Sequence, residues 1–125
     1  MKIAIFENER AMIEGAFEAM NLVFRNNSIE YKYFSNSQDA LPYASLEEFD
    51  IIFVDIQLTP KSELDGFNLI KMLIPIVGQK KLAIITGFAK NEEILRDLGL
   101  PEIPIITKPV DYLSLHDFVN KYFSN

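Results

Sequence analysis

Residues 51–55 read Ile51-Ile52-Phe53-Val54-Asp55, four consecutive apolar side chains closed by a carboxylate. A strand with one wet face alternates apolar and polar residues. An unbroken apolar run instead suits a strand covered on both faces, as in a parallel sheet clothed with helices. Three further runs have the same character: Ile3–Phe6, Leu82–Ile85 and Ile103–Ile106. A fifth, Ile29–Phe34, interleaves Glu30 and Lys32 with Tyr31 and Tyr33, the alternation of an edge strand with one face in water.

Helical patterns lie between these runs. Ile13, Phe17, Met20 and Phe24 form one apolar stripe, which Asn26-Asn27 stop. Ser37 is placed to cap a shorter helix limited or kinked by Pro42. Phe67, Ile70 and Leu73/Ile74 mark a third helix, with its end expected at Pro75. Asn91 can cap a fourth, with Glu92 and Glu93 in the first turn and Gly99 as its exit. Asp111 can cap the last, with Leu115, Phe118, Val119 and Tyr122 facing inward. Strands alternating with helices throughout give an α/β, (βα)5 doubly wound parallel five-stranded sheet. The order 2-1-3-4-5 places the half-polar second strand at an edge.

The 125 residues are 49% hydrophobic and 24% charged, which fits one globular domain over 1–125. Twelve Lys+Arg against eighteen Asp+Glu give a formal net charge of −6, which argues against a nucleic-acid partner. The absence of cysteine excludes disulfides and thiolate chemistry. The apolar stretches fall far short of the ~18 residues of a membrane span, and the N-terminal run is too short for a signal peptide. A cytoplasmic location without membrane attachment is expected.

In open α/β sheets, ligands bind beyond the carboxyl ends of the strands. Glu7, Asn8 and Glu9 follow the first strand, Asp55 ends the third, Thr86-Gly87 end the fourth, and Thr107-Lys108-Pro109 follow the fifth. Oxygen ligands there suit a hard divalent cation such as Mg²⁺. A carboxylate can also act as a phosphoryl acceptor, with Lys108, the Thr86 hydroxyl and a metal ion neutralising the transferred oxygens.

These residues resemble the receiver domains of response regulators, the CheY-like family, over essentially the whole chain. The resemblance rests on Glu7-Asn8, on Phe53-Val54-Asp55, on Asp65-Gly66 opening a helix, on Thr86-Gly87 and on Lys108-Pro109, in that order and at fitting spacing. It implies the flavodoxin-like receiver fold and a stand-alone switch in two-component signalling. Asp55 would take a phosphoryl group from a histidine kinase or phosphotransfer protein. Lys108 would pair with the phosphoryl oxygens and Thr86 would shift toward them. Mg²⁺ would sit on Glu7, Asn8, Asp55 and the backbone carbonyl of Gln57. Output would pass through contacts with a downstream protein, the chain acting as a monomer or weak homodimer and not as an enzyme. The responsive surface would show Glu93, Arg96, Asp97, Tyr112 and Lys121.

Three positions depart from the family's pattern. Asn8 stands where an aspartate normally ligates the metal, so Mg²⁺ affinity should fall. The loop from Asp55 to Asp65-Gly66 is about three residues longer than usual, which reshapes the rim beside the acceptor. Ile105 replaces the usual switch tyrosine or phenylalanine, which removes the partner of the threonine movement. Asn8 and Ile105 make a pseudo-receiver, a phosphorylation-independent interaction module, the alternative reading. Two enzyme readings fit poorly. An aspartyl phosphatase would want an acid at Gln57, and a flavodoxin-type nucleotide site would be repelled by Glu7 and Glu9. Glu9 reads as a solvated acid at a helix start, His116 as a surface residue, and the aromatics as core, with Tyr112 and Phe88 as possible partner contacts.

Overall fold

The computed structural model describes residues 1–87 and 91–123, without the side chains of Asn91, Glu92 and Ile94. The elements are β1 (Lys2–Phe6), α1 (Glu14–Phe24), β2 (Glu30–Phe34), β3 (Ile51–Asp55), α2 (Gly66–Val77), β4 (Leu82–Thr86), α3 (Asn91–Asp97), β5 (Ile105–Thr107) and α4 (Tyr112–Phe123). The five strands pair in parallel in the order β2-β1-β3-β4-β5, as the apolar runs predict. The register aligns Ile5 with Phe53 and Asp55 with Ile85, so successive side chains of the central strands go to opposite faces.

Each face has its own core. Ile3, Ile5, Ile51, Phe53, Ala83 and Ile85 pack against Ile13, Phe17 and Met20 of the α1 region and Leu115, Phe118 and Val119 of α4. Ala4, Phe6, Ile52, Val54, Leu82 and Ile84 pack against Leu69, Ile70 and Leu73 of α2, with Leu46, Phe49 and Leu95 completing the layer. Both faces of β3 and β4 are buried throughout, which is why their sequences do not alternate. On β2, by contrast, Glu30 and Lys32 are exposed, as expected of an edge.

Several local expectations are corrected. The second crossover holds no α-helix, only 3₁₀ segments at Gln38–Ala40 and Tyr43–Glu48. Pro42 has no N–H to give and biases Leu41 to the extended conformation, so a helical turn cannot pass through it. Ser37 makes no capping bond and is fully buried. Pro75 does not end its helix. The turn continues to Val77 and stops at Gly78, whose φ is +85°. Ile74, Ile76 and Val77 pack against the core around Pro75, which is itself exposed, so one lost hydrogen bond in the last turn is tolerated.

Phe24 and Tyr122, expected inside, are exposed. Phe24 stacks on His116 at 3.7 Å between ring centroids, and Phe123 takes the inward place at the end of α4. His116 is accordingly half-buried under that ring rather than a plain surface side chain. The left-handed Asn26 and Asn27 stop α1, and Asp111 caps α4 through the Ser114 amide at 2.8 Å, both as predicted. The capping assigned to Asn91 and the contact role of Phe88 fall outside the described residues.

Candidate functional site

The carboxyl edge of the sheet gathers the polar residues that end its strands. Glu7 follows β1 and extends the pairing with β2, its N–H donating to the Phe34 carbonyl at 3.0 Å. Asp55 and Thr86 are the last residues of β3 and β4, and Lys108 follows β5, its N–H donating to the Thr86 carbonyl at 2.7 Å. Glu7, Asp55 and Thr86 are all buried, at 1%, 2% and 0% exposure, a rare fate for carboxylates without partners.

The partner is Lys108. Its ammonium lies 3.1 Å from Glu7 Oε1 and 3.1 Å from Asp55 Oδ2, bridging two acids that are far apart in sequence. Asp55 Oδ1 accepts the Gln57 N–H at 2.9 Å, and Glu7 Oε1 also accepts the Glu9 N–H at 3.2 Å. Glu7 Oε2 is buried with no hydrogen-bond partner. Burial and the neighbouring Asp55 carboxylate push the Glu7 carboxyl up to about 7, against the pull of Lys108. Burial works against the Lys108 charge as well, but its bonds to Glu7 and Asp55 outweigh that and raise its pKa. Because the Glu7 carboxyl is raised to about 7, a further positive species at this edge competes with the Glu7 proton near neutral pH.

Gly66 explains how the chain leaves this site. Its N–H donates to the Ile56 carbonyl at 3.1 Å, and a Cβ at this position would overlap the Asp55 carbonyl and the Ile56 backbone. Only glycine lets α2 start so close to the acceptor strand. Asp65 then caps α2 through the Asn68 N–H at 2.8 Å.

Of the residues singled out from sequence, Glu7, Asp55 and Lys108 are in direct contact, and Thr86 adjoins them on the neighbouring strand end. Asn8 and Gln57 are exposed beside Glu7 and Asp55. Among the described residues no group of three or more His, Cys, Asp or Glu side chains is placed to hold a metal ion. The site still fits a hard cation. Glu7 Oε2 lacks a partner, and amide or carbonyl oxygens of Asn8 and Gln57 are the donors such a cation accepts.

Sequence reading missed a second group. Ser37 and Ser62, 0% and 6% exposed, sit where the long loop between β3 and α2 meets the end of β2. Isolated serines carry no periodicity, so neither hydropathy nor spacing marked them.

No protein-family model matches the chain, and no curated protein matches it significantly. Solved structures do. A CheY-like response-regulator receiver domain protein from Methanospirillum hungatei superposes with a TM-score of 0.75 at 19% identity, over 96% of this chain and 90% of that one. The receiver domain of a sensor histidine kinase from Pseudomonas aeruginosa, which holds a magnesium ion in its active-site cleft, gives 0.75 at 17% identity, over 99% and 98%. NtrX from Brucella abortus gives 0.76 at 18% identity over 98% of this chain but 26% of its own. Over nearly its whole length, the chain has the fold of the CheY-like response-regulator receiver domains.

Proposed function

We propose that this chain is a response-regulator receiver in which Asp55 accepts a phosphoryl group from a histidine kinase or phosphotransfer protein. The observation that carries this reading is the Lys108 ammonium held 3.1 Å from Asp55 at the carboxyl edge of a receiver-type sheet. An Asp55 carboxylate oxygen attacks the phosphorus of a phosphohistidine. The P–N bond breaks with its electron pair staying on the imidazole nitrogen, which takes up a proton, and Asp55 becomes an acyl phosphate. Lys108 stays on the phosphoryl oxygens, and the Thr86 hydroxyl lies on the next strand end to receive one of them. Glu7, Asn8, Asp55 and the Gln57 carbonyl would hold Mg²⁺, which when bound neutralises charge on the transferring oxygens.

The outcome is a regulated switch rather than a turnover enzyme, because the product stays on the protein. The added charge at a buried strand end would bias contacts with a downstream protein. The net charge of −6 disfavours nucleic acid as that partner, and no helix among the described residues is long and apolar enough to cross a membrane.

Intact mass after incubation with acetyl phosphate tests the reading directly. A Mg²⁺-dependent gain of one phosphoryl group, absent in Asp55→Ala, is the expected result. No gain at saturating Mg²⁺ would refute it and leave the fold as a phosphorylation-independent interaction module.

A further inference from the structure

The loop from Ile56 to Asp65 has no regular secondary structure, yet side chains from the end of β2 hold it in place. The Ser37 N–H donates to Ser62 Oγ at 2.8 Å, and the Leu64 N–H donates to Ser37 Oγ at 3.0 Å. Ser62 Oγ donates in turn to the Leu64 carbonyl at 2.6 Å. Gln38 spans the same gap: its Nε2 donates to the Lys61 carbonyl at 3.0 Å, and its Oε1 accepts the Glu63 N–H at 2.9 Å. The Ser37 hydroxyl completes the network by donating to Gln38 Oε1 at 3.2 Å. Every hydroxyl and amide group in this clasp has a partner; the Ser37–Ser62 bond is buried, while the Gln38 bonds to the loop lie at the surface.

What the clasp holds is the segment that touches the candidate acceptor. The loop leaves β3 at Asp55, and its second residue, Gln57, donates its N–H to Asp55 Oδ1 at 2.9 Å. Its base is closed by the Gly66-to-Ile56 hydrogen bond, and Leu58 is fully buried in the core. Between Leu58 and Asp65 the clasp supplies the further anchorage. A loop of this length without such cross-links would sample many more backbone arrangements beyond Leu58.

We propose that Ser37, Gln38 and Ser62 are positioning residues for Asp55, acting through the loop to hold the Gln57 backbone against the carboxylate. If Asp55 is the phosphoacceptor, a role that rests on the function proposed above, the clasp fixes the acceptor's orientation and the neighbouring Gln57 carbonyl. The loop is then functional, and its residues 61–64 reach across to Ser37 and Gln38.

Amide-resolved NMR on ¹⁵N-labelled protein tests this without requiring phosphorylation. Gln38→Ala, at a half-exposed position, removes two of the loop's hydrogen bonds with little risk to folding, and Ser62→Ala attacks the clasp from the other side. The expected result for both is an upfield shift of the Gln57 amide proton and at least about tenfold faster exchange there, with the strand amides of β1 and β3 unchanged. Gln38→Glu, which keeps the acceptor for Glu63 but loses the donor to Lys61, should lie between wild type and Gln38→Ala. Loosening confined to Glu63 and Leu64, with Gln57 unmoved, would overturn the proposal, as would no loosening in either variant. The acetyl phosphate assay on the same samples separates the two readings. Wild type that takes no phosphoryl group refutes the receiver function, while the Gln57 amide still decides what the clasp does.

Discussion

Glu7 and Asp55 are the two buried carboxylates that Lys108 bridges, and the residue beside Glu7 is the neutral, exposed Asn8. A cation arriving at this edge meets two carboxylates that both already face Lys108, and near neutral pH it competes with the Glu7 proton. Its attraction therefore depends strongly on each further charge. Asn8→Asp should tighten Mg²⁺ binding about tenfold, roughly 1.4 kcal/mol, read by isothermal titration calorimetry at fixed ionic strength. Asn8→Ser, which changes shape without adding charge, should not. Equal affinities in wild type and Asn8→Asp would mean that position 8 is not part of the cation's shell. The charged residues of this site were legible in the sequence because each stands at the end of an apolar run, where a charge has no structural excuse. The clasp serines were not, since a buried serine bonded to backbone leaves no trace in hydropathy or spacing.

At the scale of elements, the start of α2 shows how closely chain geometry is tied to the acceptor. Asp65 and Gly66 act differently there although they are adjacent. Asp65 accepts the Asn68 N–H as an N-cap, so Asp65→Ala should cost about 1 kcal/mol. Gly66→Ala would drive a methyl into the Asp55 carbonyl and the Ile56 backbone, which cannot move aside as a flexible side chain could. The cost there should reach about 3 kcal/mol, and it should come with displacement of Asp55. Urea denaturation of the two variants gives their ranking, and the reverse order would show that the helix start relaxes freely. The central strands were readable from apolar runs, because a two-sided core forbids polar residues there; β5 instead starts two residues into its run, at Ile105, and takes in the exposed Thr107. The second crossover was not: Ser37 imitates a cap, but Pro42 and the demands of the long loop turn that stretch into 3₁₀ segments and an anchor.

Across the whole molecule, the site is rigid only as far as the two cores that grip the sheet are. Phe53 belongs to the α1/α4 side and lies two residues before Asp55 on the same strand. Its ring meets Phe17 edge-on at 5.2 Å between centroids and Phe118 at 6.0 Å, so it joins α1 and α4 through β3. Burial places β2 at an edge and the crossover rule supplies the rest of the strand order, but this aromatic junction needed the structure, because periodicity assigns a residue to a face without naming its neighbours. Removing the ring leaves a cavity where three elements meet, and close-packed interiors fill such gaps only partly. Phe53→Ala should destabilise the fold by about 3–5 kcal/mol in chemical denaturation, at the upper end if neither helix can close on the strand. The transition should stay single and cooperative, because both cores are built on the same central strands. A loss below about 1 kcal/mol would mean that Phe17 and Phe118 close over the gap, and two separate transitions would mean that the two faces of the sheet unfold independently.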